Sequence, residues 1–134
     1  MMKSIRFVPL RSGQLQKYLD FAKRERVNPI IYVGLQSGLR QSELLTLSWA
    51  AVDLSERLLY GQYRTVELDD ESFHLLTQEN RIHPRSETVF IHPVTNQPYQ
   101  RHQFYYLHRK LCALARLPEI SYKELQLYYR EVGR

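Results

Sequence analysis

At 134 residues, with 43% apolar and 25% charged side chains, the chain has the size and composition of one globular domain around a single core, which excludes wholesale disorder. One cysteine, Cys112, excludes an internal disulfide framework; "MMKSIRF" holds no apolar leader and no apolar run nears the ~20 residues that span a bilayer, so a cytoplasmic protein is expected. The net charge of +5 is unevenly spread, with eight Lys/Arg against two Asp/Glu in residues 1–40, four against nine in 41–100, and seven against three in 101–134.

In chain order, "SGQLQKYLDFAKRER" (12–26) predicts a helix capped by Ser12, with Leu15, Leu19 and Ala22 on one face. In "NPIIYVGLQSG" (28–38), Asn28 reads as the cap, Pro29 as the first helical position and Gly38 as the stop. Its run of Ile30, Ile31, Val33 and Leu35 reads as a buried helix. "SELLTLSWA" (42–50) predicts a short third helix with Leu44, Leu45 and Leu47 inward. The period then changes. "RLLYGQYRTVEL" (57–68) alternates as a tight hairpin around Gly61. "DDESFHLLTQEN" (69–80) opens on Asp caps and carries Phe73, Leu75 and Leu76 as a helix. "ETVFIHPVTNQPYQ" (87–100) reads as a strand at Val89–Ile91, then a turn over Asn96 and Pro98. "RHQFYYLHRKLCALARL" (101–117) predicts an amphipathic helix with Phe104, Leu107, Leu111 and Leu114 on one stripe, stopped by Pro118, with Cys112 a small core residue. "SYKELQLYYREVG" (121–133) opens with a Ser121/Glu124 capping box and closes at Gly133. The expectation is a single α+β domain over residues 1–134, mainly helical, with a small antiparallel β element.

Motifs that carry chemistry are few. There is no GxGxxG, no Walker-type loop and no CxxC pair, and His74, His83, His92, His102 and His108 have no metal-ligand spacing. Neither a cofactor, a metal nor a small-molecule substrate is expected. If the fold joins the two basic ends, they make the positive face of a polyanion binder; otherwise they are solvated helix faces. The stretch that stands out is "LQSGLRQSELLTLSWAAVDL" (35–54), where Arg40 falls between a glycine stop and a helix start. A guanidinium there offers phosphate oxygens a fixed fork of donors beside free helix amides. Equally, a pairing with Glu43 or Asp53 ties loop to helix and nothing more. "NRIHPRSE" (80–87) reads as a solvated loop, with Arg81 and Arg85 as lesser candidates for phosphate.

The same stretch resembles box I of the tyrosine recombinase (phage integrase) catalytic domain, TGLR-x-SEL-x-x-L-x-W-x-D-ID. "RTVEL" (64–68) resembles the R-x-V-P-L that closes that family's β-hairpin, and "VFIHPVTNQPYQ" (89–100) its F-x-x-x-x-G-x-P turn. "ISYKELQLYYREVG" (120–133) falls where the family has ITPHDLRHTFAT, so the likeness runs from about Leu10 to Gly133. It implies the recombinase catalytic-domain fold, lacking the C-terminal helices and the N-terminal core-binding domain. It also implies that Arg40 is the first catalytic arginine, gripping the scissile phosphate, with Glu43 orienting it. Lys123 stands at the histidine of the H-x-x-R pair, a change some members tolerate. Elsewhere the pattern breaks. Gln126 replaces the second arginine, Leu127 replaces the next histidine, the hairpin has no lysine, and no tyrosine has the nucleophile's context. Tyr128 and Tyr129 read instead as one core-facing and one surface-facing ring.

The resemblance therefore implies double-stranded DNA as partner, held by Arg40, Arg64, Arg101, His102 and Lys123, and an accessory or regulatory role on a mobile element without strand cleavage. Two alternatives are a fragment working in trans with an active recombinase, and an interaction module or decoy that binds an intact recombinase or itself.

Overall fold

The computed structural model describes residues 10–11 and 13–132. The elements run α1 (Gln14–Arg24), α2 (Asn28–Ser37), α3 (Gln41–Leu45), a 3-10 turn (Trp49–Ala51), β1 (Val52–Asp53), β2 (Leu58–Tyr60), β3 (Thr65–Glu67), α4 (Asp70–Ile82), α5 (Arg101–Leu114) and α6 (Tyr122–Val132). This is a mainly helical α+β architecture with one small antiparallel sheet in the order β1-β2-β3. Among the described residues no helix is long and apolar enough to cross a membrane.

α2 is predominantly apolar, and a helix of that kind is stable only in the middle of a fold. Ile30, Ile31, Val33, Gly34, Leu35 and Ser37 are all buried, and α1, α3, α4 and α6 each pack against it. α1 also carries α5, through a buried polar joint. Tyr18 meets His108 Nδ1 at 2.8 Å, and His108 Nε2 meets the Ile120 carbonyl at 2.8 Å. A carbonyl only accepts, so Nε2 holds the proton and the Tyr18 hydroxyl donates to Nδ1. Tyr122 closes the joint by donating to the Ile31 carbonyl at 2.7 Å.

The caps differ in part from expectation. The cap of α1 is Gly13, at φ 85°; Ser12 and Gly133 lie outside the described residues. α2 is capped by Val27, not Asn28, which is already helical and makes no side-chain cap bond. The buried Val27 follows a tight turn at Arg26 (φ 59°), so packing rather than a polar side chain sets this start. Gly38 ends α2 in the left-handed region at φ 69°, as its sequence position predicts. The Ser121/Glu124 capping box is formed at both of its bonds, 3.0 and 3.1 Å.

Three packing expectations are corrected. Val89–Ile91 form no strand; the segment makes single bridges, Ser48 with Thr88 and Ile91 with Pro98, and a proline without N–H cannot extend such a ladder. Leu114 is 42% exposed. The buried stripe of α5 is Phe104, His108, Leu111 and Cys112, and it includes a polar residue that apolar periodicity passes over. Tyr128 is half-buried against the core rather than directed to solvent, beside the buried Tyr129.

Candidate nucleic-acid interface

The hairpin is a tight one. Leu59 pairs with Val66 and Tyr60 with Thr65, and the Gly61 amide closes the loop on the Arg64 carbonyl at 2.8 Å. This loop lies against the start of α3, and one carboxylate joins them. Glu43 Oε1 accepts from the Arg40 N–H at 3.1 Å, and Oε2 from the Gln62 N–H at 2.8 Å. Both of its oxygens are thus engaged by backbone. Asp53, the other acid weighed as a partner for Arg40, accepts instead from the Ser55 hydroxyl and the Glu56 N–H.

The Arg40 guanidinium is therefore not paired with a carboxylate among the described residues. It lies over the Tyr63 ring, 5.1 Å from the centroid, and the residue is exposed. Arg64 is held differently. Its Nη2 donates to the Ser37 carbonyl at 2.8 Å, at the C-terminal end of α2 where a cation is favoured.

These groups border a cleft of about 1020 Å³. Arg40 comes from the α2–α3 junction, Arg64 from the hairpin, Arg101 from the first turn of α5, and Lys123 and Arg130 from α6. Among the described residues no aspartate or glutamate lines it. Of the basic residues in 1–40 only Arg40 borders the cleft, joined by Arg101, Lys123 and Arg130 from the C-terminal stretch, and the acidic middle contributes Arg64 alone among its charged residues. His102, beside Arg101, does not line the cleft. Arg130, which the sequence reading did not single out, does. Its signal was its spacing: it lies two helical turns after Lys123, on the face that carries Gln126 and Leu127.

Gln126 also borders the cleft, but its amide is turned to the protein. Nε2 donates to the Gly34 carbonyl at 2.9 Å and to the Leu39 carbonyl at 2.7 Å. Of the tyrosines, Tyr122 and Tyr129 line the cleft with occupied hydroxyls, Tyr122 donating to Ile31 and Tyr129 to the Tyr32 hydroxyl at 3.4 Å. Burial raises the Tyr122 phenol well above its ordinary range, which opposes a nucleophilic role. Among the described residues no group of three His, Cys, Asp or Glu side chains converges as metal ligands.

No protein-family model matches the chain, and neither does any curated protein. Solved structures do. The crystal structure of XerA recombinase superposes with a TM-score of 0.78 over 96% of this chain, at 18% sequence identity. The fold is that of a tyrosine recombinase catalytic domain. XerH site-specific recombinase, solved bound to its difH substrate as a pre-cleavage complex, superposes over 98% of this chain with a TM-score of 0.68 and 17% identity. At such identities the fold is what is shared. This recombinase-like chain spans about half the length of both, 50% of the first and 46% of the second.

Proposed function

We propose that this recombinase-fold domain binds double-stranded DNA by gripping backbone phosphates in the Arg40 cleft, and that it supplies little or no strand-cleaving chemistry of its own. The observation that carries the proposal is the arrangement of Arg40, Arg64, Arg101, Lys123 and Arg130 around one cleft, with no carboxylate lining it among the described residues. Guanidinium forks suit phosphate oxygens, and cations without acid partners keep their charge for an outside anion. That XerH is solved with a DNA substrate supports the same use of the fold here.

Weak or absent catalysis fits one change in the cleft and one at the hairpin tip. A glutamine committed to two carbonyls replaces the second arginine, and the hairpin tip carries Gln62 and Tyr63 with no lysine. Removing one electrostatic partner of a transition state costs ~10²–10³ in rate, and here two are replaced together. An accessory or regulatory part on a mobile element, in the cytoplasm, fits a domain that holds DNA without cutting it.

The test is a gel-shift titration of a generic duplex across a salt series. Affinity is expected to fall with a log–log slope of about −0.9 per phosphate contacted, with weak sequence preference. Salt-independent affinity, or an Arg40→Ala variant that binds like the wild type, excludes the proposal. A nicked suicide substrate checks the chemistry: a covalent phosphotyrosyl adduct would overturn the inactive reading.

A further inference from the structure

We propose that Tyr63, at the tip of the hairpin, is a positioning residue that presents Arg40 to phosphate; this rests on the DNA-binding reading of the cleft. Arg40 is exposed, and an exposed arginine on its own samples many rotamers, each of which must be given up when it binds. Proteins commonly fix such a side chain with a carboxylate. At this site no such pair forms among the described residues: Glu43 accepts instead from the N–H groups of Arg40 and Gln62. What meets the guanidinium instead is the Tyr63 ring, 5.1 Å from its carbon to the centroid.

The difference matters chemically. A carboxylate neutralises the charge and fills the donor fork. An aromatic face attracts the cation through its quadrupole and leaves the N–H groups pointing outward. Tyr63 thus restrains Arg40 while consuming none of what a phosphate needs. Glu43 keeps the pair in register, since it fixes the backbone of Arg40 and, through Gln62, the residue next to Tyr63. Tyr63 itself is 70% exposed, so nothing in the core requires an aromatic residue there.

A cation–π contact at an exposed site is worth ~0.5–1 kcal/mol, so Tyr63→Ala is expected to weaken duplex binding about two- to five-fold. Tyr63→Phe keeps the face and is expected to bind like the wild type. In an Arg40→Ala background, Tyr63→Ala is expected to change nothing further. Arginine side-chain NMR gives a readout independent of DNA: the Arg40 δ and ε protons are expected to show a ring-current shift in the wild type and Tyr63→Phe that vanishes in Tyr63→Ala. Absence of that shift, or an equal loss from Tyr63→Ala when Arg40 is already gone, overturns the inference. If Arg40→Ala weakens binding and Tyr63→Ala does not, only the positioning role falls. If Arg40→Ala has no effect, the phosphate-gripping reading falls with it.

Discussion

The Gln126 side chain bridges the Gly34 and Leu39 carbonyls, at 2.9 and 2.7 Å, and so ties α6 to both sides of the turn that delivers Arg40. An amide suits this place because its NH₂ carries two donors and both find carbonyls. Gln126→Ala leaves those carbonyls without that partner and is expected to cost about 1–3 kcal/mol in urea unfolding. Gln126→Glu is expected to cost more at pH 7, since an ionised carboxylate has no donor and faces two oxygens. A Gln126→Ala variant as stable as the wild type would show that the bridge contributes nothing.

Arg40 and Arg64 border the same cleft but are held by different means, so their alanine variants are expected to differ. Arg40→Ala removes no hydrogen bond among the described residues, because both Glu43 contacts go to backbone N–H groups. Its stability is expected to stay within about 0.5 kcal/mol of the wild type, while its salt slope drops by about one. Arg64→Ala loses the bond to the Ser37 carbonyl, and is expected to lose about 1 kcal/mol of stability together with affinity. Paired thermal melts and salt titrations distinguish the two patterns; an Arg40→Ala protein as destabilised as Arg64→Ala would contradict them.

Gly38 links that arginine to the helix end. It sits at φ 69°, and a Cβ placed there lies 2.5 Å from Arg64 Nη2. Gly38→Ala is therefore expected to combine ~1 kcal/mol of left-handed strain with displacement of Arg64 from the Ser37 carbonyl. The measurable consequence is a double-mutant cycle in which Arg64→Ala costs less in the Gly38→Ala background. Full additivity would show that the two residues are not coupled.

Much of this site is legible in the sequence, and the limits of that legibility are physical. Gly38 and Arg40 could be read because a helix stop and a capped helix start have local sequence signals. Charge distribution alone does not say which basic residues meet; that Arg40, Lys123 and Arg130 share a cleft depends on α2 lying against α6, which is a tertiary fact. The role of Gln126 was unreadable for the same reason, since its partners are 92 and 87 residues away. Glu43 was read as the group that orients Arg40, and its carboxylate does bond that residue, though through the backbone. The strand expected at Val89–Ile91 failed because β-rich composition fixes extended backbone but not a partner. His108 carries no burial signal in the sequence, because apolar periodicity marks only apolar residues, whereas two hydrogen bonds make an imidazole acceptable in the core.

That imidazole and a buried carboxylate set opposing pH dependences. Burial lowers the His108 pKa from its ordinary 6.5. The unfolded chain therefore binds this proton more readily, and stability is lost as pH falls below about 6.5. Glu79 is buried on α4, and its pKa is pushed up from 4.5 to about 7 by desolvation. Here the folded state holds the proton more tightly. Its contribution is fully present below about 4.5 and is lost as pH rises through 7. The windows overlap just below about 6.5, where the two slopes offset each other. Glu79→Gln removes one of them. At pH 8 it is expected to stabilise the fold by about 2 kcal/mol, because a neutral amide replaces a buried charge; at pH 4 the gain is expected to vanish. Between pH 6.5 and 5 the variant is expected to lose stability more steeply than the wild type, with the His108 slope no longer offset. Urea melts at pH 4, 5, 6.5 and 8 provide the check, and a Glu79→Gln effect that is the same at all four would rule out a perturbed carboxyl at this position.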